Sequence, residues 1–455
     1  FFNSQKIQYN SSSNSKHYSI NFGINSKKIG TITSFSFNAF QNLKSGKKRN
    51  KFYKDFGYRD EYVIRDYINN EDKIINNNNP NIQKFTGYSQ LDFINKINFK
   101  LSNKTNLIHG IYLSKSSNIP RYDRLILYKD IFTPKYSEWY YGPNLFLMNK
   151  IELNNFRKTK YYDAFKLNIS NQIIKESRHS RVFNSNFLNN RNEKVDIISL
   201  NLDLDKKFKN DEIFYGYEFI YNNVNSEANK INIISNESSK ISTRYPDNGT
   251  QFLSNSLYFS YKKKFRKIFS NVGLRGNISR LESKLSNQIL EFPFSEINLN
   301  TSSVSGNIGF RYNYNKSSFK VQYSNGFRSP NLDDLGKIFD SEPGNIIIPN
   351  ADLEPEYVNN YELNYEFKSD KIILKNTFFY IRLNNAIIRT DSKFNGKDSI
   401  IYDGVLSKVQ QLNNGAKAYV YGFSNLLNFK LNESVNIEHT ISFNNSKDKI
   451  NNRPL

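Results

Sequence analysis

The chain has 455 residues, 64 Lys and Arg against 42 Asp and Glu, a formal charge of +22, and no Cys. Disulfides and thiolate metal sites are therefore excluded, and the length allows several soluble domains or one large barrel. Aromatic residues make up 15% of the chain, yet its mean hydropathy is −0.67 and Met occurs once, a balance that suits a sheet with one apolar and one wet face.

The basic excess points to nucleic acid, a lipid surface or an anionic ligand, although over-used Lys, Asn and Ile also follow from an AT-rich genome. No long apolar run is present, so no membrane-spanning helix is expected. The sequence opens at Phe1 without Met or a basic-then-apolar leader and closes on "NNRPL". It reads as cut at both ends.

Taken in order, the chain shows period two. In "HYSINFGIN", Tyr18, Ile20, Phe22 and Ile24 alternate with Ser19, Asn21, Gly23 and Asn25. The pattern returns through Phe165, Leu167 and Ile169, through Ile308, Phe310, Tyr312 and Tyr314, and through Tyr419, Tyr421 and Phe423. It predicts strands near 17–24, 28–38, 87–100, 104–114, 144–153, 161–174, 194–205 and 212–224, then 250–262, 267–281, 302–314, 317–326, 357–368, 371–383, 416–430 and 434–446. The connections alternate in length. Tight turns such as "NSK", "SNK", "KKFR", "NK" and "SD" are interleaved with long stretches 39–86, 115–143, 175–193, 225–249, 282–301, 327–356 and 384–415. Up-and-down strands put successive connections at opposite ends. Loops that lengthen on one side only are the pattern of an outer-membrane barrel, with short periplasmic turns and long extracellular loops. Closure of such a barrel satisfies the backbone hydrogen bonds that lipid cannot. The expected fold is all-β: a transmembrane antiparallel up-and-down β-barrel with about sixteen strands present.

One stretch is more specific than its surroundings: "GFRSPNLDDLGKIFDSEPGNIIIPNADLEPEY", residues 326–357. Pro330 stops a strand ladder because it cannot donate, and Pro343-Gly344 reads as a turn. "FRSP" at Phe327, Arg328, Ser329 and Pro330 resembles the Phe-Arg-Ala-Pro box of TonB-dependent outer-membrane receptors. "PNADLEPEY", with Pro349, Asn350, Leu353, Pro355 and Glu356, resembles their Asn-Pro-Asn-Leu box and the Pro-Glu after it. "IPRYDRL", "WYYGP", "TRYPD", "IYDG" and "NNGAKAYVYGF" extend the resemblance over nearly the whole chain, closest to receptors of Bacteroidetes-type bacteria.

The resemblance implies a barrel of 22 strands, with an N-terminal plug and further C-terminal strands outside residues 1–455. It implies energised uptake of a scarce solute across the outer membrane of a Gram-negative bacterium. The expected partners are a TonB-type inner-membrane protein, reached through the missing N-terminal region, a small-molecule ligand such as an iron chelate, and outer-membrane lipid and lipopolysaccharide, with no nucleic acid. A ferric siderophore is the leading ligand, with haem or cobalamin, or a passive or adhesive barrel, as alternatives. Anionic chelates suit loop cations and aromatic rings, which nominates Arg121, Tyr122, Arg124, Trp139, Tyr140, Tyr141 and Arg328, with His179 on a long loop as the one outward histidine. Between Pro330 and Pro349 there is no His, Tyr, Cys or Met to bind haem iron axially. A calcium site in the acidic stretch 331–342 is the remaining metal option, and no cofactor is expected. Gly-x-Ser-x-Gly, phosphate-loop and His-Glu-x-x-His motifs are absent, so no enzyme is predicted.

Overall fold

A computed structural model describes residues 1–448 other than 287, 288, 293, 343 and 403. Seventeen long strands follow one another: β1 Phe2–Asn10, β2 Ser15–Asn25, β3 Ile29–Phe40, β4 Tyr88–Ser102, β5 Thr105–Ser116, β6 Leu145–Asn155, β7 Ala164–Val182, β8 Phe187–Lys207 and β9 Asp211–Asn232, then β10 Thr250–Phe265, β11 Ile268–Lys284, β12 Glu296–Tyr314, β13 Ser317–Arg328, β14 Glu356–Lys368, β15 Ile372–Asp391, β16 Val405–Lys430 and β17 Asn436–Asp448. Each pairs antiparallel with the next in sequence. Among the described residues, no pairing joins β1 to β17.

All sixteen expected strands are present, and β1 is a seventeenth that the alternation did not predict. The stretch 175–193 is also corrected, and 225–249 in part: β7 runs on to Val182, β8 starts at Phe187 and β9 runs on to Asn232, so paired ladder continues past the expected ends, while 233–249 remains connection apart from the short strand Ser238–Lys240. Neighbouring strands satisfy each other's backbone there, so both faces can be polar. His179 consequently lies in a strand rather than a loop.

The sheet is inside-out relative to a soluble protein. Leu257, Leu274, Ile278, Val304, Val321 and Leu363 are exposed on one face, while Ser254, Ser256, Ser279, Ser283 and Thr301 are buried on the other. The register aligns the exposed side chains into belts. Phe310, Val321, Leu363, Phe378, Phe423 and Phe443 face one another in series across six strands. One step toward the long loops lies a row of Tyr323, Tyr361, Tyr380 and Tyr421. On β14 the outward set runs from Tyr357 to Phe367. About ten residue steps at ~3.4 Å, tilted by ~40°, give a band of roughly 25 Å, the height of an outer-membrane barrel's apolar belt.

The long loops form the chain's conventional hydrophobic core. Ile338, Ile346, Ile348, Phe394, Tyr402 and Val409 make one buried cluster, and Leu281, Leu285, Ile297, Leu335 and Leu353 make another. Leu281 and Ile297 belong to the polar face of β11 and β12, so the loops fold back over that face. A parallel pairing of Asn345–Ile348 with β16 ties the two loops together.

Candidate functional site

The stretch 326–357 is a brace for these loops. Phe327 pairs with Tyr357 across β13 and β14. Arg328 bonds Glu356 through Nε (2.5 Å) and Asp334 through Nη1 (2.6 Å). Asn331 caps the turn Leu332–Leu335, accepting from the Asp334 amide while the Asp334 carboxylate accepts from the Asn331 amide. Ser329 lies 3.3 Å from Thr301, and Pro330 and Pro349 are fully buried. Asn350 donates to the Leu412 carbonyl at 2.7 Å, and Gln411 donates to the Pro349 carbonyl at 2.8 Å. Leu353 sits in the loop core and Pro355 is half-buried beside it. The first acids of the calcium option are already engaged by cations: Asp333 by Lys337 and Asp334 by Arg328. Pro343 lies outside the described residues, as do the side chains of Asp340 and Glu342, while Gly344 has the positive φ of a turn.

A second set of side chains converges where the 117–143 segment meets the top of β7. The short strand Tyr136–Tyr141 pairs with β7, placing Trp139 opposite Ser180 and Tyr141 opposite Arg178. Alternation along β7 from Ser170 places Arg178 and Ser180 on the polar, lumen face. Trp139 and Tyr141 meet edge to face with centroids 5.0 Å apart. The Arg121 guanidinium lies 5.1 Å from the Trp139 ring and 5.0 Å from the Tyr141 ring. Arg178 lies 5.5 Å from Tyr141 and Arg124 6.0 Å from Trp139. Arg121 is oriented by Asp123, at 2.7 Å from Nε, and by the Tyr141 hydroxyl. That partner holds the Asp123 carboxyl below the usual carboxylate range. Three guanidinium groups thus share two aromatic rings, an arrangement able to stack and neutralise a flat or anionic ligand.

The other nominated residues lie elsewhere. Tyr140 stacks on His179 with centroids 4.5 Å apart, on the face opposite Trp139 and Tyr141. His179 Nδ1 bonds Asn190 at 2.6 Å, and burial pushes the imidazole below its ordinary pKa. Tyr122 lies under the Arg59 guanidinium. Arg328 belongs to the separate 326–357 brace. Arg178 was missed, because only strand pairing brings it to Tyr141.

A buried ion cluster anchors this region. Arg181 bonds Asp72 at 2.9 Å and Glu138 at 2.7 Å, and Arg65 stands 3.4 Å from Asp72. Burial alone would raise the Asp72 carboxyl, but hydrogen bonds from Ser137 and Arg181 hold it below its ordinary value. The hairpin Glu61–Asp66 and Glu71–Asn76 is thereby pinned to β7. Between that hairpin, Pro120, Leu125 and Trp139 lies a cavity of about 340 Å³.

No curated protein matches the sequence significantly. Solved structures match its fold. The copper transporter OprC superposes with a TM-score of 0.71 at 7% identity, over 98% of this chain and 61% of its own. The hemophore receptor HasR of Serratia marcescens, in complex with its hemophore HasA and heme, gives 0.66 at 10% identity over 97% and 62%. The ferric yersiniabactin uptake receptor FyuA from Yersinia pestis gives 0.60 at 11% identity over 98% and 62%. The chain thus spans about three fifths of the length of these structures. The TonB dependent receptor-like, beta-barrel family matches residues 131–454. The alternating loops, the inverted sheet and that match agree, and the chain belongs to the TonB-dependent receptor β-barrels of the Gram-negative outer membrane.

Proposed function

We propose that this barrel is the channel and outer vestibule of a receptor that takes up a scarce solute with energy from a TonB-type inner-membrane protein. The coupling contact would lie in a region beyond this chain. The solute is a ferric siderophore or another anionic iron chelate. The observation that carries this reading is the shared stack of Arg121, Arg124 and Arg178 on Trp139 and Tyr141, where the 117–143 segment meets the top of β7. Cations on aromatic faces favour a ligand that is both anionic and flat. The seating of His179 on the opposite face supports a chelate over a haem. The protein acts here as a transporter, and no reaction is assigned to it.

Trp139 is the only tryptophan, so its emission reports on this site alone. Titration of the detergent-solubilised protein with ferric catecholate, hydroxamate and citrate chelates is expected to quench it saturably with one of the three classes. Arg178→Gln should weaken that chelate roughly tenfold, the loss of one charge-assisted contact. Saturable binding of a chelate that leaves Trp139 emission unchanged would place the ligand elsewhere.

A further inference from the structure

The positive charge of the chain is not spread evenly over the barrel. On β11 to β14 the long connections 282–301 and 327–356 hold ten acids against three cations. The stretch 262–267 around the β10–β11 turn reads "KKKFRK", five cations without an acid, and "FRKTK" at 156–160 and "KKFK" at 206–209 lie at the same end. A genome's preference for Lys would enrich both ends alike, so the asymmetry has a local cause. At the short-turn end the wall holds a cavity of about 670 Å³. Lys264, Phe269, Arg311 and Lys320 form one register row across β10 to β13. Alternation along β10 from Ser254 and Ser256 places that row on the polar, lumen face. All four residues line the cavity, joined by Phe208 and Lys209 from the β8–β9 turn.

The acids beside this cavity are already engaged. Glu212 stands 3.6 Å from Lys207 and 3.4 Å from Lys262, Asp211 stands 4.0 Å from Lys263, and Glu366 stands 3.5 Å from Arg311. Among the described residues, Lys209, Lys264 and Lys320 have no carboxylate partner. The Lys264 ammonium lies 5.3 Å from the Phe269 ring centre, so cations and a ring are presented together. Like charges gathered on one wall repel one another, and a multivalent anion relieves that repulsion at several of them at once. The cavity has the size of a small-molecule site. Acids at the long-loop end and cations at the short-turn end also give this wall a potential that draws an anion toward the periplasm. We propose that the cavity is a second station for a multivalent anionic solute, at the periplasmic end of the lumen, held by Lys209, Lys264, Arg311 and Lys320. The site stands on its own geometry, and its role as an exit station rests on the reading of the barrel as the path of an anionic chelate.

The test uses the whole chain folded in detergent and two ferric complexes, the tris-catecholate, which is a trianion, and the neutral tris-hydroxamate. Equilibrium dialysis counts bound iron, while Trp139 emission reports the upper stack alone. The native protein should bind the tris-catecholate at a site that leaves Trp139 emission unchanged, more weakly as salt is added, and should not bind the neutral complex there. Lys209→Gln/Lys264→Gln/Lys320→Gln should weaken that silent site roughly thirtyfold, at about threefold per exposed cation, and leave any quenching of Trp139 as it is. Lys27→Gln/Lys28→Gln/Lys104→Gln, a charge-matched control on other short turns, should bind like the native protein. Quenching of Trp139 by a chelate with no silent site for the trianion would overturn the second station and leave the uptake site standing. A silent site lost in the first variant, with no quenching by any of the three chelate classes, would keep the cavity as an anion site and refute the stack as the uptake site. Equal occupation of the cavity by the neutral complex, or a folded first variant that keeps native affinity, would overturn recognition of charge by these residues.

Discussion

Glu193 makes the stability of the barrel depend on pH. It lies on the lumen face of β8, above the apolar band, since the outward residues beside it are already Lys194 and Asp196. Only 6% of its surface is exposed, and neither carboxylate oxygen has a hydrogen-bond partner among the described residues. Glu176 faces it from β7, Ser226 faces it from β9, and Arg191 stands two residues away on its own strand. Burial, and then the charge of Glu176, push its pKa from 4.5 up to about 7, against a smaller opposing effect of Arg191. A carboxyl whose folded pKa is raised carries no penalty in acid, where it is protonated in both states. The penalty grows as pH rises from about 4.5 and is complete above about 7. A shift of roughly 2.5 units at ~1.4 kcal/mol each corresponds to about 3 kcal/mol at pH 8. Glu193→Gln removes the charge and leaves the shape. Urea unfolding of native and variant protein in the same detergent, at pH 4, 6 and 8, should therefore diverge. The variant should gain about 2–3 kcal/mol relative to the native protein between pH 4 and pH 8. A stability difference that stays constant across that range would refute a buried, unpartnered Glu193, whatever its size.

The brace makes a separable prediction. Asn350→Ala should leave the barrel folded but loosen the loops, read as faster proteolysis within 329–412, because it leaves the Leu412 carbonyl without its partner at a cost of about 1–3 kcal/mol. Val409→Ala, in the loop core, should give the same loop-limited phenotype at about 1–3 kcal/mol. Gly216→Ala should act on the barrel instead. A Cβ there would overlap the Leu202 carbonyl and the Tyr258 hydroxyl, so assembly yield in detergent should fall markedly while Tyr258→Phe remains close to native. Arg328→Gln should mimic Asn350→Ala in proteolysis and leave ligand-induced Trp139 quenching unchanged, since its guanidinium is spent on Glu356 and Asp334.

The wall of the barrel was legible because lipid imposes a one-sided alternation. Where lipid ends, that signal ends too. β1, "FNSQKIQYN", alternates poorly and is exposed along nearly its whole length, so nothing in its pattern announces a strand. The upper halves of β7 to β9 are polar on both faces and look like loop, although their ladders are continuous. This misplaced His179. The 326–357 stretch was visible by its prolines and its resemblance, but its work depends on Leu412 and Gln411, some sixty residues further on. Within the nominated ligand set, composition could supply Arg121, Arg124, Trp139 and Tyr141. It could not say that Tyr140 faces the other way, because the register shift at Tyr136 and Glu138 decides which face each ring takes.

Which face of the sheet meets lipid is directly measurable, because the chain has no native Cys. Single cysteines at Leu363 and Phe378 on the apolar face, and at Glu362 and Thr377 on the polar face, would each carry a nitroxide in the protein reconstituted into vesicles. Collision with oxygen against collision with a water-soluble nickel chelate reports lipid or water at each position. Leu363 and Phe378 should be accessible to oxygen and shielded from the chelate, and Glu362 and Thr377 should show the reverse. Equal access to the chelate at all four positions would contradict a membrane barrel and leave a soluble sheet in its place.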